Sequence, residues 1–122
     1  MARDLDKRLK DSDLEQIGRN LRSVAGVGPD AEVVTNEKGA HQSRVEYRLD
    51  LVPPLALLSV GQVLKEGAEK YGVDNWRGIA PDEHINHALV HLYAFLAGDT
   101  QDDHVTHAAC RILFALDLLL SA

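Results

Sequence analysis

Cysteine is almost absent from the sequence: Cys110 is the single one in 122 residues. It cannot close a disulfide within the chain, and its apolar neighbours are typical of a cysteine that packs as a small hydrophobe rather than one that reacts as a thiolate. The sequence therefore favours a reducing compartment, the cytoplasm, and predicts no cysteine nucleophile.

Positive charge is also scarce, with 13 lysines and arginines against 19 acidic residues and a formal net charge of −6. Proteins that coat nucleic acid use a basic stripe to contact its phosphates, and the sequence shows no such stripe. A nucleic-acid polymer is therefore not a predicted partner, whereas a free nucleotide held through a cation is compatible with this composition.

Long apolar runs are missing as well. One of the longest, residues 112–116, is interrupted by Asp117 and is far shorter than the roughly 18 residues needed to span a bilayer. Residues 2–22 mix charged and apolar side chains, unlike the apolar centre of a secretion signal. No membrane partner is predicted, and a chain of this length is expected to fold around one core.

Helical periodicity is the main pattern that the sequence does contain. Three main helices are predicted over residues 54–71, 81–97 and 103–120, with Gly72 and Gly98 ending the first two. The expected buried stripes are Leu57, Val60, Leu64, Ala68 and Tyr71 on the first helix and Ile85, Leu89, Leu92 and Leu96 on the second. The predicted fold class is all-α, a small helical bundle.

The N-terminal part is predicted to be organised differently. A helix should start at Ser12, with Glu15 completing a capping box, and end at residues 26–29, where glycines and a proline follow. We interpret residues 1–30 as an N-terminal helical extension and residues 31–122 as the main domain. The first part of that domain is irregular and extended, and so long a non-helical segment is unusual in a small domain.

Five of the six histidines are concentrated between His84 and His107. His84, His87 and His91 are spaced three and four apart, so they share one face of the second main helix. His104 and His107 repeat this spacing on the last helix. If the two helices pair antiparallel through the short turn between them, the two groups converge. We therefore predict a metal-dependent polar site inside the bundle.

The turn between these helices places the carboxylate of Asp99 or Asp102 at the same end. Mixed imidazole and carboxylate ligands suit Mn²⁺, Fe²⁺ or Zn²⁺, and Mg²⁺ where fewer imidazoles take part. The expected ligands are His91, Asp99, His104 and His107. The alternative is that the histidines are ordinary hydrogen-bonding side chains, and His84 and His41 are the weakest candidates as ligands.

Two carboxylates on the first main helix form a second candidate site. Glu66 and Glu69 are three residues apart, so they share a helix face and are suited to a cation that bridges a polyphosphate. Lys70, next in sequence, would contact phosphate oxygens. The alternative is a solvated face on which Glu66 pairs with Lys70, four residues further on.

The connector after this helix carries three side chains suited to a nucleotide. Asn75 offers hydrogen bonds, Trp76 a flat stacking surface, and Arg77 a fork that matches phosphate oxygens. Trp76 fits equally well as core filler. Residues 35–39 do not form a phosphate-binding glycine loop, because the second glycine and the Lys-Ser/Thr ending are missing.

Several motifs, taken in order, resemble a known family. They are Tyr47-Arg48-Leu49-Asp50-Leu51-Val52-Pro53-Pro54, Gly67-Ala68-Glu69-Lys70-Tyr71-Gly72, Asn75-Trp76, His91-Leu92, Gly98-Asp99 and His104-Val105-Thr106-His107-Ala108-Ala109. Over residues 38–120 the chain resembles the phage dATP/dGTP diphosphohydrolase N-terminal-domain family, which is similar to the MazG-like all-α nucleoside triphosphate pyrophosphohydrolases. It departs from the MazG-like pattern where His104 and His107 replace the second carboxylate pair, and where Arg111 stands in place of an expected asparagine.

The resemblance implies a MazG-like bundle that forms homo-oligomers, binds Mg²⁺ or Mn²⁺, and hydrolyses a (deoxy)nucleoside triphosphate to the monophosphate and pyrophosphate. It also implies a phage protein acting in the host cytoplasm. The expected metal ligands are then Glu66, Glu69, His91, Asp99, His104 and His107, the catalytic residues Glu69, His104 and His107, and the substrate-binding residues Arg48, Lys70, Asn75, Trp76 and Arg77. Tyr47 is an alternative to Trp76 for facing the base.

Two other functions are compatible with the same residues. A non-catalytic nucleotide-binding protein, such as a phage sponge for a signalling nucleotide, needs complementarity only to the ground state, and the reduced carboxylate set favours it. A helical oligomerisation module with surface histidines needs neither metal nor nucleotide. The leading hypothesis is the metal-dependent pyrophosphohydrolase, an enzyme acting on acid anhydrides.

Overall fold

The computed structural model describes residues 13–122, so the helix start predicted at Ser12 and its capping box lie outside the described residues. Within them the α-helices are α1 (Asp13–Leu21), α2 (Pro54–Tyr71), α3 (Pro81–Leu96) and α4 (His104–Leu120). Strands β1 (Val33–Thr35) and β2 (His41–Ser43) form one antiparallel hairpin, and short 3-10 turns occur at Leu49–Leu51 and Asn75–Gly78. The prediction of a small, mainly helical bundle is confirmed.

Local sequence explains where the main helices begin and end. Pro54 and Pro81 are the first residues of α2 and α3, where the missing proline N–H leaves no helical hydrogen bond unmade. Gly72, with φ of 100°, ends α2 in a conformation that favours glycine. The side chain of Asp103 caps α4 by accepting a hydrogen bond from the Thr106 amide, at 3.3 Å. The bounds predicted for the main helices agree with these within one residue.

Helices α3 and α4 pair antiparallel, as the short turn between them predicts. His91 lies against His104, with 3.0 Å between their Nδ1 atoms, and His84 lies against Arg111, with 3.2 Å between Nδ1 and Nη1. His84 lies two turns before His91 in α3, and Arg111 lies two turns after His104 in α4, so the two helices run in opposite directions. Ala88, between the two histidines of α3, is buried and lets the helices approach closely.

Helix α4 contacts each of the other three helices. On the α2 side, the hydroxyls of Thr106 and Ser59 are 3.4 Å apart, and Cys110 Sγ lies 3.9 Å from the carbonyl oxygen of Val60. Burial raises the pKa of the Cys110 thiol, in keeping with a packing role. None of the helices described in residues 13–122 combines the length and apolar character needed to cross a bilayer.

The sequence favours extended structure at residues 32–35, where β1 lies, but its polar residues 36–43 predict a loop, so β2 and the hairpin were not predicted. The Asn36 side chain organises it by accepting hydrogen bonds from the amides of Lys38 (2.9 Å) and Ala40 (3.0 Å). Gly39 supplies the positive φ of 81° that closes the turn. The non-helical segment before α2 is thus folded into short local structures.

The apolar stripes predicted to be the core are largely exposed in the single chain. Val60 is buried, but Leu89 is 47% and Leu96 76% exposed. Helix α3 instead buries the face that carries His84 and Ala88, because that face meets α4. The prediction of buried leucine stripes is therefore wrong within one chain, and a wide apolar surface is left on the outside.

Candidate functional site

The predicted convergence of histidines is found where α3 meets the start of α4. His91 comes from α3, and His104 and His107 come from the first turn of α4. The His91 ring centroid lies 5.3 Å from that of His104 and 5.2 Å from that of His107, and it stacks on the latter. The intervening turn brings Asp99 and Asp102 to the same place. We call these five residues the histidine cluster.

Asp99 orients the imidazole of His104. His104 Nε2 lies 2.5 Å from Asp99 Oδ2, and a carboxylate can only accept, so Nε2 carries the proton. The lone pair of the neutral ring is then on Nδ1, which points into the cluster. The hydrogen bond from His104 also holds the pKa of Asp99 below its usual value, so that carboxyl group is charged near neutral pH.

Asp102 and His107 form a second pair on the other side of the cluster. His107 Nε2 lies 3.3 Å from Asp102 Oδ1. Between the pairs, burial and then the neighbouring His107 lower the pKa of His91, which favours its neutral form. Neutral imidazole is the form that binds metal ions.

Three of these side chains offer ligand atoms that lie within 4.8 Å of one another: His91, Asp102 and His104. Adjacent ligands of a six-coordinate ion at about 2.1 Å are separated by roughly 3.0 Å. The Nδ1 atoms of His91 and His104 are 3.0 Å apart, which matches that separation. The donor set suits a divalent cation, which would replace the hydrogen bond between the two Nδ1 atoms and draw the three side chains closer together. Asp99 is bound to the outer nitrogen of one ligand, as in many metal sites.

The glutamates of α2 are not members of this group. Glu66 and Glu69 are exposed, and neither belongs to the group of ligand atoms found in the described residues. Glu69 is paired with Lys65, at 3.1 Å. Lys70 is also exposed, with Nζ 5.0 Å from the ring centroid of Tyr71. The residues expected to bind metal are thus not all gathered in one group of ligand atoms.

Two of the three predicted nucleotide-binding side chains of the connector already contact other residues of the chain. Trp76 stacks on Phe114 with ring centroids 4.5 Å apart, and the Arg77 guanidinium lies 4.3 Å from the Trp76 centroid. Because Phe114 fills one face of the indole, Arg77 covers the other. Arg77 also pairs with Asp117, at 3.4 Å. Asn75 is exposed in the 3-10 turn that precedes α3.

The remaining predicted substrate-binding arginine also has an acidic partner. Arg48 makes two hydrogen bonds to Asp50, at 3.0 and 2.9 Å, and this bonding lowers the pKa of the Asp50 carboxyl. Tyr47, the alternative aromatic residue, is 37% exposed. Its ring is therefore more accessible to a base than the covered ring of Trp76.

His84, predicted to be the weakest candidate of the helix pair, is the most deeply buried of the large side chains in residues 13–122. Its side chain is 0% exposed, with Nε2 2.9 Å from the carbonyl oxygen of Trp76 and Nδ1 3.2 Å from Arg111 Nη1. Burial lowers the pKa of His84 and keeps it neutral. The sequence carried a signal for the position of His84 only, because it lies two turns before His91 on the helix face that meets α4.

These features define a helical bundle in which two antiparallel helices bring imidazoles and carboxylates together at one end. A family model described as dATP/dGTP diphosphohydrolase, N-terminal, matches residues 36–122, and the chain belongs to this family. The match includes the three main helices and the whole histidine cluster. Comparisons with curated proteins and with solved structures give no match. The family name points to a hydrolase of nucleotide anhydrides.

Proposed function

We propose that this protein is a metal-dependent pyrophosphohydrolase of (deoxy)nucleoside triphosphates, with dATP and dGTP as the first substrates to test. The observation that carries the proposal is the group formed by His91, Asp102 and His104, whose ligand atoms lie within 4.8 Å of one another. This group falls inside the segment that matches a family named for a dATP/dGTP diphosphohydrolase.

The proposed reaction consumes one water molecule. The water oxygen bonds to the α-phosphorus, the bond from that phosphorus to the oxygen bridging to the β-phosphorus breaks, and pyrophosphate leaves with the bond's electron pair. The proton released by the water passes to solvent. A divalent cation bound by the cluster would neutralise phosphate oxygens and lower the pKa of a bound water.

In this proposal some residues of the histidine cluster are metal ligands and the others orient those ligands. His91, Asp102 and His104 bring their ligand atoms together, and a bound cation would take the place of the proton that His91 Nδ1 shares with His104 Nδ1. Asp99 fixes the ring of His104, and His107 holds the carboxylate of Asp102. Such fixed ligands need little reorganisation when phosphate arrives, which is the main way in which an enzyme favours phosphoryl transfer.

The glutamates of α2 have a separate role in this proposal. Glu66 and Glu69 are exposed and close in sequence, so they can bind a cation that arrives with the polyphosphate. Lys70 and Asn75 lie nearby in sequence and are exposed. Arg48 and Arg77 already have carboxylate partners, so a phosphate group would have to compete with Asp50 and Asp117 for them.

The metal proposed for the cluster is Mn²⁺ rather than Mg²⁺. Two imidazoles and one carboxylate form a donor set with more nitrogen than Mg²⁺ prefers, whereas Mn²⁺ accepts both nitrogen and oxygen. Mg²⁺ would suit the all-carboxylate pair on α2. The two places thus have different expected metal preferences.

A homo-oligomer is also part of the proposal. Leu55 and Leu58 on α2 are 81% and 70% exposed, and Tyr93 and Leu96 on α3 are 70% and 76% exposed. Apolar surface of this extent is commonly covered by a partner. The occupant we propose is a second copy of the chain.

Incubation of purified protein with dATP or dGTP and Mn²⁺ tests the function, with nucleoside monophosphate and pyrophosphate as the measured products. His104→Ala removes a cluster ligand and should abolish product formation. His87→Ala is the matched control, because His87 is exposed on α3 and outside the group of ligand atoms. Equal rates for wild type and His104→Ala would reject the proposal.

A second candidate is a nucleotide-sequestering protein that does not hydrolyse its ligand. It is favoured by the fact that both cluster carboxylates, Asp99 and Asp102, are already bound to histidines. The same incubation distinguishes the two functions. Tight binding with the triphosphate recovered intact would replace hydrolysis by sequestration.

A further inference from the structure

Arg111 differs from every other arginine in residues 13–122. The other five, Arg19, Arg22, Arg44, Arg48 and Arg77, are exposed, whereas Arg111 is half-buried. Four of those five pair with a carboxylate, and Arg22 donates to the carbonyl of Ser121. Arg111 thus occupies the position in which an arginine most needs a negatively charged partner.

No such partner is found for Arg111 among the described residues. The one hydrogen bond of its guanidinium there runs from Nη1 to His84 Nδ1, at 3.2 Å. A guanidinium has five N–H donors, so most of its hydrogen-bonding capacity is unused. In a chain with a net charge of −6, a half-buried cation without a carboxylate is unusual.

Arg111 lies one helical turn along α4 from the histidine cluster. Arg111 follows His107 by four residues on α4, so the two side chains share a helix face. Its charge is close enough to contribute to the lowered pKa of His91. An anion that extends from the cluster along this face of α4 would therefore approach Arg111.

His84 explains how Arg111 is held. His84 Nε2 donates to the carbonyl of Trp76, so in the neutral ring Nδ1 is the acceptor that Arg111 requires. His84 is fully buried, and its edge contacts the ring of Phe114, which itself stacks on Trp76. A rigid aromatic group therefore fixes the imidazole, and the imidazole fixes one corner of the guanidinium.

We propose that Arg111 binds the triphosphate of the nucleotide beside the histidine cluster, and that His84 is a positioning residue that orients its guanidinium. This inference rests on the proposed function for the identity of the anion. A planar guanidinium can bind two phosphate oxygens at once, and with one corner held by His84 it retains free N–H groups for that purpose. It supplies the positive charge that Arg48 and Arg77 offer only in competition with their own carboxylates.

Binding of inorganic tripolyphosphate in the presence of Mn²⁺, measured by calorimetry, tests the role of Arg111. A charge-assisted hydrogen bond contributes enough that Arg111→Gln should weaken binding by about 10-fold to 100-fold. Arg111→Lys should retain part of the affinity. Arg19→Gln is the control, since it removes the same charge from an exposed arginine on α1. Wild-type affinity in Arg111→Gln would overturn the inference.

A pair of substitutions tests His84 without depending on stability alone. Asn at position 84 places an acceptor near the position of Nδ1, whereas Gln places its amide near Nε2 and leaves Arg111 without an acceptor. His84→Asn should bind tripolyphosphate more tightly than His84→Gln, with both variants compared at temperatures where they are folded by circular dichroism. Equal affinity in the two variants would remove the positioning role.

The kinetics separate this inference from the proposed function. If wild type releases pyrophosphate from dGTP, Arg111→Gln should raise KM by about 10-fold or more while the affinity for Mn²⁺ alone stays within about twofold. Unchanged KM and kcat in Arg111→Gln would overturn the inference and leave the function standing. Arg111-dependent binding of tripolyphosphate without any hydrolysis would support the anion site and reject the enzyme.

Discussion

His104 donates a hydrogen bond from Nε2 to Asp99 Oδ2, and this single contact determines which nitrogen of the ring faces the cluster. Nδ1 is left to meet Nδ1 of His91, 3.0 Å away on the neighbouring helix. Asp99 lies in the turn that joins α3 to α4, and His104 is the first residue of α4. The turn therefore connects the helices and also sets the orientation of a proposed metal ligand.

Replacement of Asp99 is expected to weaken metal binding although Asp99 is not one of the three grouped ligand residues. Asp99→Ala removes the acceptor that fixes the His104 ring, and loss of such an outer contact commonly lowers metal affinity by about 10-fold to 100-fold. Mn²⁺ binding measured by calorimetry checks this. Asp30→Asn removes an exposed carboxylate outside the cluster and should leave the affinity unchanged. Equal affinities for wild type and Asp99→Ala would contradict the proposed arrangement.

Metal preference should follow the donor atoms of the cluster. Wild type is expected to bind Mn²⁺ at least about 10-fold more tightly than Mg²⁺, because His91 and His104 supply nitrogen ligands. His91→Asp replaces one nitrogen by oxygen and should reduce this difference. His87→Asp, an exposed change on the same helix, should preserve it. A wild-type protein that prefers Mg²⁺ would be incompatible with ligation by both imidazoles.

Local rules were sufficient to predict the main helices and the convergence of the histidines. The prolines and glycines at the helix ends act through the backbone of neighbouring residues, and helical spacing alone places His84 and His91 on one face. The short turn allows only close antiparallel packing of α3 and α4. For these reasons the pairing of His91 with His104 could be predicted from the sequence.

The role of His84 could not be predicted in the same way. It depends on the carbonyl of Trp76 and the guanidinium of Arg111, which come from different elements and meet only in the folded chain. The outward-facing leucines have a related cause. Periodicity identifies an apolar face, but it does not say whether the same chain or another covers it, and α3 turned its histidine and alanine face inwards.

The glutamates of α2 are expected to affect activity without affecting the cluster's own metal. In Glu66→Gln/Glu69→Gln, the affinity for Mn²⁺ in the absence of nucleotide should stay within about twofold, because neither carboxylate is in the ligand group. Hydrolysis of dGTP should then require a higher metal concentration. Lys65→Gln removes the ion-pair partner of Glu69 and serves as control. Loss of Mn²⁺ binding in the double variant would place these carboxylates at the cluster.

Gly18, the one glycine of α1, should not be replaceable by a larger residue without loss of stability. A Cβ at this position would overlap the backbone carbonyl of Leu120 at the end of α4, so Ala can be accommodated only if α1 shifts. Gly18→Ala is expected to lower the free energy of unfolding by about 1–3 kcal/mol in urea denaturation. Gly61→Ala on α2 meets open space and should instead be neutral or stabilising. Equal stability of the two variants would show that α1 does not pack on α4.

The stability of the metal-free protein should decrease in acid through His84. Burial lowers the pKa of His84 below its ordinary value of 6.5, so the unfolded chain takes up this proton more readily than the folded chain. The contribution is fully present above about pH 6.5 and is lost as the pH falls from there towards the lower folded-state pKa. The slope from one such group cannot exceed about 1.4 kcal/mol per pH unit.

Urea unfolding between pH 8 and pH 5 with a chelator present measures this slope. Arg111 on α4 and His87 on α3 are the charged and titratable neighbours that also lower the pKa of His84, whereas the hydrogen bond to the Trp76 carbonyl raises it. His84→Asn cannot titrate, so its stability should fall less steeply with pH, although the lowered pKa of His91 preserves part of the dependence. A constant difference in unfolding free energy between wild type and His84→Asn across this range would mean that the pKa of His84 is the same in the folded and the unfolded chain.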